Sequence, residues 1–90
     1  MIDQEVLKKY VTRRQEDFEK CLLAFAKRNY ADIEMIGHKM KGNGTTFGFP
    51  ELSELGESLE NGAVAKDHDL LKLKLDEFKV WLSGKSSLAH

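Results

Sequence analysis

Ninety residues with a formal net charge of −1 make one small domain, with enough apolar side chains for a single core but not for an enclosed active-site cavity beside it. The near-neutral balance creates no field that would draw in nucleic acid or an anionic membrane, and a single cysteine, Cys21, excludes an intramolecular disulfide. No charged-then-apolar leader opens the chain and no apolar run is long enough to span a bilayer, so a reducing, cytoplasmic setting without membrane contact is expected.

Periodicity near 3.6 residues dominates, and no stretch alternates apolar with polar residues for long, so the chain reads as all-α. The first helix is predicted to start after Asp3, an N-cap with Glu5 in the first turn to suit the helix dipole. Leu7, Val11, Phe18, Leu22 and Phe25 form its predicted buried stripe, and Cys21 falls inside this stretch as an inert buried thiol. It is expected to stop near Arg28. Lys8, Lys9, Arg13 and Arg14 gather on it, but acidic residues intersperse them and make a solvated face rather than a phosphate track.

Asn29 is the predicted N-cap of the second helix, with Asp32 three positions on in a capping-box arrangement. Ile33, Ile36 and Met40 supply its apolar stripe. Lys39, Lys41 and Gly42 carry ordinary stop signals, whereas Phe47 would extend the stripe if the helix continued. Pro50 suits the first turn of a third helix, marked by Leu52, Leu55 and Leu59 and closing around Asn61-Gly62. A fourth begins near Asp67, carries Leu71, Leu75, Phe78 and Leu82 with Trp81 beside them, and ends at Gly84. The expected architecture is an antiparallel up-down four-helix bundle over residues 1–84 with a loose tail over 85–90. Such a bundle offers no glycine-rich phosphate cradle after a strand, so a phosphoryl group would have to arrive ready-made.

On a wheel of about 100° per residue, Ile33, Ile36, Met40 and Phe47 lie opposite His38, which therefore points to water. Beside it, within roughly 60°, fall Ala31, Glu34, Met35, Lys41, Gly42 and Thr45. An exposed imidazole, largely neutral near neutral pH, is a competent nucleophile, and Lys41 lies one turn away to balance charge. Gly37, Gly42 and Gly44 would together cost a helix roughly 2–3 kcal/mol, which asks for a reason. Gly42 either clears the approach to His38 or simply terminates the helix.

The run His38-Lys39-Met40-Lys41-Gly42-Asn43-Gly44-Thr45-Thr46-Phe47-Gly48-Phe49 resembles the signature of histidine-containing phosphotransfer (HPt) domains. Gly44 to Phe49 looks especially like the phosphotransfer domain at the start of chemotaxis histidine kinases, and Leu52, Leu55, Leu59 and Glu60 continue the pattern. The resemblance implies a four-helix bundle whose second helix continues past the glycines. It makes His38 the phosphoacceptor on Nε2, Lys41 the nearby cation, Gly42 the clearance residue, and Glu60 the acceptor of the Nδ1–H. It also implies exchange of the phosphoryl group with an aspartate of a response-regulator receiver domain, or its receipt from a histidine kinase. The domain itself is then a carrier rather than an enzyme, holds no cofactor, and meets Mg²⁺ only on the partner receiver. Ala31, Glu34, Met35, Lys41, Gly42 and Thr45 are the expected docking residues of a monomeric domain. One departure is Glu57, which stands where chemotaxis-type domains often place a second histidine; a further carboxylate there adds negative charge near the phosphoryl group.

Two other readings compete. An HPt-like bundle could dock on a kinase or receiver without phosphotransfer, leaving His38 idle. A metal-binding bundle would need His38, His68 and His90, but Glu34 precedes His38 by four residues rather than the three of a Glu-x-x-His motif, and both point outward. No metal site is expected.

Overall fold

The computed structural model describes residues 3–85, so the predicted tail lies outside the described residues apart from Lys85. Four helices account for nearly all of it: α1 (Gln4–Ala26), α2 (Tyr30–Asn43), α3 (Pro50–Val64) and α4 (His68–Gly84). Their starts follow from local chemistry. The side chains of Asp3, Asn29 and Asp67 each accept a backbone N–H of the first turn, satisfying donors that a helix leaves orphaned. Pro50 occupies the first turn of α3, where its missing N–H is no loss. Asp32 returns the cap at Asn29 by accepting from its side-chain amide at 2.8 Å.

Successive helices run antiparallel. Tyr10 on α1 meets Asn43 at the far end of α2, Gly44 lies against Ser53 of α3, Glu51 bonds Trp81 of α4, and Phe18 packs edge-on against Phe78. With α4 also packed on α1, the bundle closes as a ring of four. At about 1.5 Å per residue α1 spans roughly 35 Å, nearly the full 37 Å length of the molecule.

The α1–α2 and α3–α4 turns share one design. In each, an N–H reaches back five residues (Asn29 to Ala24, Asp67 to Gly62) and the preceding one reaches back three (Arg28 to Phe25, Lys66 to Ala63). This Schellman pattern puts its pivotal residue in the left-handed region, usually a glycine. Here it is Arg28 (φ 56°) and Lys66 (φ 54°). Consequently α3 runs past Asn61-Gly62, where the sequence reading closes it, and ends at Val64. Gly62 is not a stop but a seat for Leu71, whose Cδ2 would lie 3.0 Å from a Cβ there.

The core takes Ile33, Ile36 and Met40 from α2, Leu52, Leu55 and Leu59 from α3, and Leu71, Leu75, Phe78 and Leu82 from α4, as the periodicity predicts. The α1 stripe needs correction. Val11 and Phe18 are buried, but Leu22 is exposed, Leu7 and Phe25 are half-buried, and Tyr10, Cys21 and Ala24 fill the interior instead. Long helix α1 faces α2 on one side and α4 on the other, so its buried face is centred on 10–11, 18, 21 and 24 rather than on 22.

Cys21 sits fully buried, and burial, reinforced by the carboxylates of Asp17 and Asp32, pushes its thiol from 9.0 up to about 12. An unfolded chain would ionise it earlier, so this contribution to stability is intact below pH 9.0 and drains away as the pH rises to about 12. Alkaline denaturation should therefore be shallower in Cys21→Ala than in the parent, by a difference on the order of 4 kcal/mol accumulated across that window. The comparison is needed because Tyr10 is itself raised by burial, against the opposing pull of Arg14, and adds its own alkaline titration.

Candidate functional site

The most closely packed pair of helices, α2 and α3, carries the site. Helix α2 continues through Gly42 and ends at Asn43. The chain then passes Gly44, makes a single 3-10 turn over Thr45–Phe47, and reverses at Gly48 (φ 88°) before α3 begins. Helix two thus runs past the first glycine of the signature and stops at the second. Phe47 nevertheless reaches the core edge, stacked on Tyr10 at 4.3 Å. Ser53 secures the junction: its hydroxyl oxygen accepts the Thr45 N–H at 2.8 Å and the Thr45 hydroxyl at 3.0 Å.

His38 points away from the core, its side chain 71% exposed. Its Nδ1 lies 2.7 Å from Glu60 Oε2, across the α2–α3 seam and 22 residues away in sequence. An ionised carboxylate only accepts, so Nδ1 carries the proton, and in the neutral ring Nε2 is the nitrogen with the free lone pair. The other oxygen of Glu60, Oε1, lies 3.6 Å from Lys41 Nζ. One carboxylate therefore holds both the imidazole and the ammonium. The Glu60 side chain is only 19% exposed, against 47% for Lys41, so the contact sits at the mouth of the seam rather than in open solvent.

Of the residues that the sequence reading groups around His38, Ala31, Glu34 and Met35 line one open groove with His38 and Glu60, joined by Lys39. Met35 is 52% exposed. Lys41 and Gly42 follow on α2 and are exposed, while Thr45 belongs to the 3-10 turn and is engaged by Ser53. Glu57 is exposed on α3, and the hydrogen bond to His38 is made by Glu60. Sequence reasoning missed Leu23. It is 64% exposed on α1 and shares a second groove with Met35 and Lys39, rimmed by Lys20 and Lys27. Because Met35 and Lys39 border both grooves, the apolar surface continues from α1 to the imidazole. An exposed leucine next to Leu22 was the available signal.

The three glycines from the middle of α2 to the residue that caps it serve different ends. A Cβ at Gly42 would meet nothing within 4 Å, so no internal packing requires glycine there. A Cβ at Gly44 would come within 2.5 Å of the Ser53 nitrogen, and one at Gly37 within 2.7 Å of the Glu60 nitrogen and the Gly56 oxygen. Gly37 and Gly44 are thus required by the approach of α3, and Gly42 is not.

Elsewhere, His68 is stacked on Phe25 at 4.0 Å with its Nδ1 3.0 Å from the Tyr30 hydroxyl, at the opposite end of α2 from the Gly44 turn. Among the described residues no group of three His, Cys, Asp or Glu side chains is arranged to hold a metal ion, and no helix is long and apolar enough to cross a membrane. His90 lies outside the described residues.

No curated protein and no solved structure matches the chain. A family model does match, that of the Hpt domain, over residues 5–82. The matched span takes in all four helices and the whole α2–α3 seam, and the chain belongs to the Hpt domain family, whose members carry phosphoryl groups in phosphorelays.

Proposed function

We propose that this domain receives a phosphoryl group on Nε2 of His38 and exchanges it with an aspartate of a response-regulator receiver domain. The observation that carries this reading is the 2.7 Å contact of Glu60 with Nδ1 on a 71% exposed side chain, which favours the Nδ1–H tautomer and so a free Nε2 in the neutral ring. In the forward step the Nε2 lone pair attacks the phosphorus of the partner's aspartyl phosphate. The Nε2–P bond forms as the P–O bond to the aspartate breaks, and the aspartate leaves as a carboxylate. Nδ1 keeps its proton, and Glu60 balances the positive charge gained by the ring. Lys41, freed from a long 3.6 Å contact, turns to the phosphoryl oxygens. Phosphoryl transfer depends on in-line geometry and charge compensation, and one lysine supplies little of the second. Mg²⁺ and the remaining charged groups belong to the partner, so the domain works as a carrier and the receiver or kinase as the catalyst.

Docking is assigned to Ala31, Glu34, Met35, Lys41, Gly42 and Thr45, extended along α1 by Leu23. Flexible methionine suits a surface shared by a kinase and a receiver. The setting is cytoplasmic and the domain acts as a monomer.

Gly42 gives this reading a direct check. In helical backbone with open space around it, Gly42→Ala is expected to stabilise the fold by about 0.5–1 kcal/mol. It should also slow transfer, because the new methyl stands in the partner's path one turn from His38. A thermal melt and a transfer time course on the same sample separate the two effects.

The reading as a whole is tested by mixing the chain with a receiver domain phosphorylated on aspartate, or with an active histidine kinase and ATP. Acid-labile, base-stable label is expected on this chain within seconds to minutes. Stable complex formation without label would instead favour a domain that docks and does not transfer.

A further inference from the structure

The contact between Glu60 and His38 spans two helices, so its length depends on how closely their backbones approach. That approach is set by two glycines, one beside His38 and one a turn before Glu60. A Cβ on Gly37, beside His38, would lie 2.7 Å from the backbone nitrogen of Glu60 and 3.1 Å from Leu59 Cβ. A Cβ on Gly56, one turn before Glu60, would lie 2.5 Å from the backbone nitrogen of Lys41 and 2.7 Å from both Gly37 O and Met40 Cβ. Each glycine of one helix therefore abuts the backbone of a site residue on the other. The obstructing atoms are mostly backbone, which cannot swing aside as a side chain could.

We infer that Gly37 and Gly56 are positioning residues for phosphoryl transfer: their missing side chains bring α2 and α3 close enough for Glu60 to fix the tautomer of His38 and hold Lys41. This inference rests on the assignment of His38 as the carrier. A methyl at Gly37 must recede from 2.7 Å to the 3.4 Å at which ordinary contact begins, a retreat of about 0.7 Å. Added to the present 2.7 Å between Nδ1 and Oε2, that separation exceeds the usual limit of about 3.2 Å for such a bond. The ring then loses its preference for the Nδ1–H form, and the fraction with Nε2 free falls.

The test is ¹⁵N NMR of the His38 ring in the unphosphorylated protein, with transfer rates measured alongside. Wild type is expected to show the Nδ1–H tautomer almost alone. Gly37→Ala should show a mixed population and transfer roughly tenfold more slowly. Gly44→Ala supplies the control, since it meets Ser53 at 2.5 Å in the same seam but seven residues from Gly37. It should leave the ring tautomer of the folded protein unchanged. A folded Gly37→Ala with the wild-type tautomer overturns the inference, and so does an equal change in both variants. If Gly37→Ala fails to fold, Glu60→Asp draws the carboxylate back by one methylene without touching the crossing; a preserved tautomer there overturns the inference equally. Because the spectra are recorded without phosphate, wild type that takes up no label on His38 would defeat the carrier assignment while leaving the tautomer result interpretable on its own.

Discussion

His38→Gln is expected to fold as the parent does and to take up no phosphoryl group above background from any donor. Glutamine approximates the length and polarity of the imidazole, but its amide nitrogen has no lone pair available for attack on phosphorus. The structural cost is small because the side chain is 71% exposed and the bond it loses lies at the surface. Loss of that bond should move stability by no more than about 1 kcal/mol, and Glu60 keeps its contact with Lys41. A melt that superimposes on the parent, beside a labelling assay at background, is the expected pair of results. Labelling of the variant at the parental rate would place the acceptor elsewhere.

The converse is expected of Phe78→Ala. Phe78 has no exposed surface and meets Phe18 edge-on at a centroid distance of 5.3 Å. Removing the ring forfeits its burial and leaves a cavity between α1 and α4, at a cost of about 3–5 kcal/mol. A domain of this size has about 5–15 kcal/mol in total, so a large part of its stability should go, read as a lower urea midpoint with an unchanged slope. The α2–α3 seam does not include Phe78, and transfer per folded molecule should stay within twofold of the parent. The two variants thus separate chemistry from stability in opposite directions.

How much of this could be read from the sequence differs by element. Helix starts were legible because a side chain states them: Asp3, Asn29, Pro50 and Asp67 each begin a helix as predicted. Helix ends were less so. Gly62 looked like a stop and is a packing residue, while the residues that turn the chain, Arg28 and Lys66, carry no sign of their left-handed backbone. Periodicity placed the cores of α2, α3 and α4 correctly, but on α1, which faces two neighbours, it drew the stripe through exposed Leu22 and past Cys21 and Ala24.

At the site, the outward position of His38 followed from the wheel alone, as did the exposure of Met35. The pairing of His38 with Glu60 did not, because residues 22 apart meet only if two helices cross at one register and one separation. Resemblance supplied the partner; the glycines supply the separation. In the sequence Gly37, Gly42 and Gly44 were a single expense to the helix. In three dimensions Gly37 and Gly44 serve close packing, and Gly42 is left facing open space.

The most direct measurement is ¹⁵N–³¹P NMR of the phosphorylated chain. A one-bond coupling between phosphorus and Nε2 of His38 is expected, with the proton retained on Nδ1. Phosphorus bonded to Nδ1, or to a different residue, would contradict it.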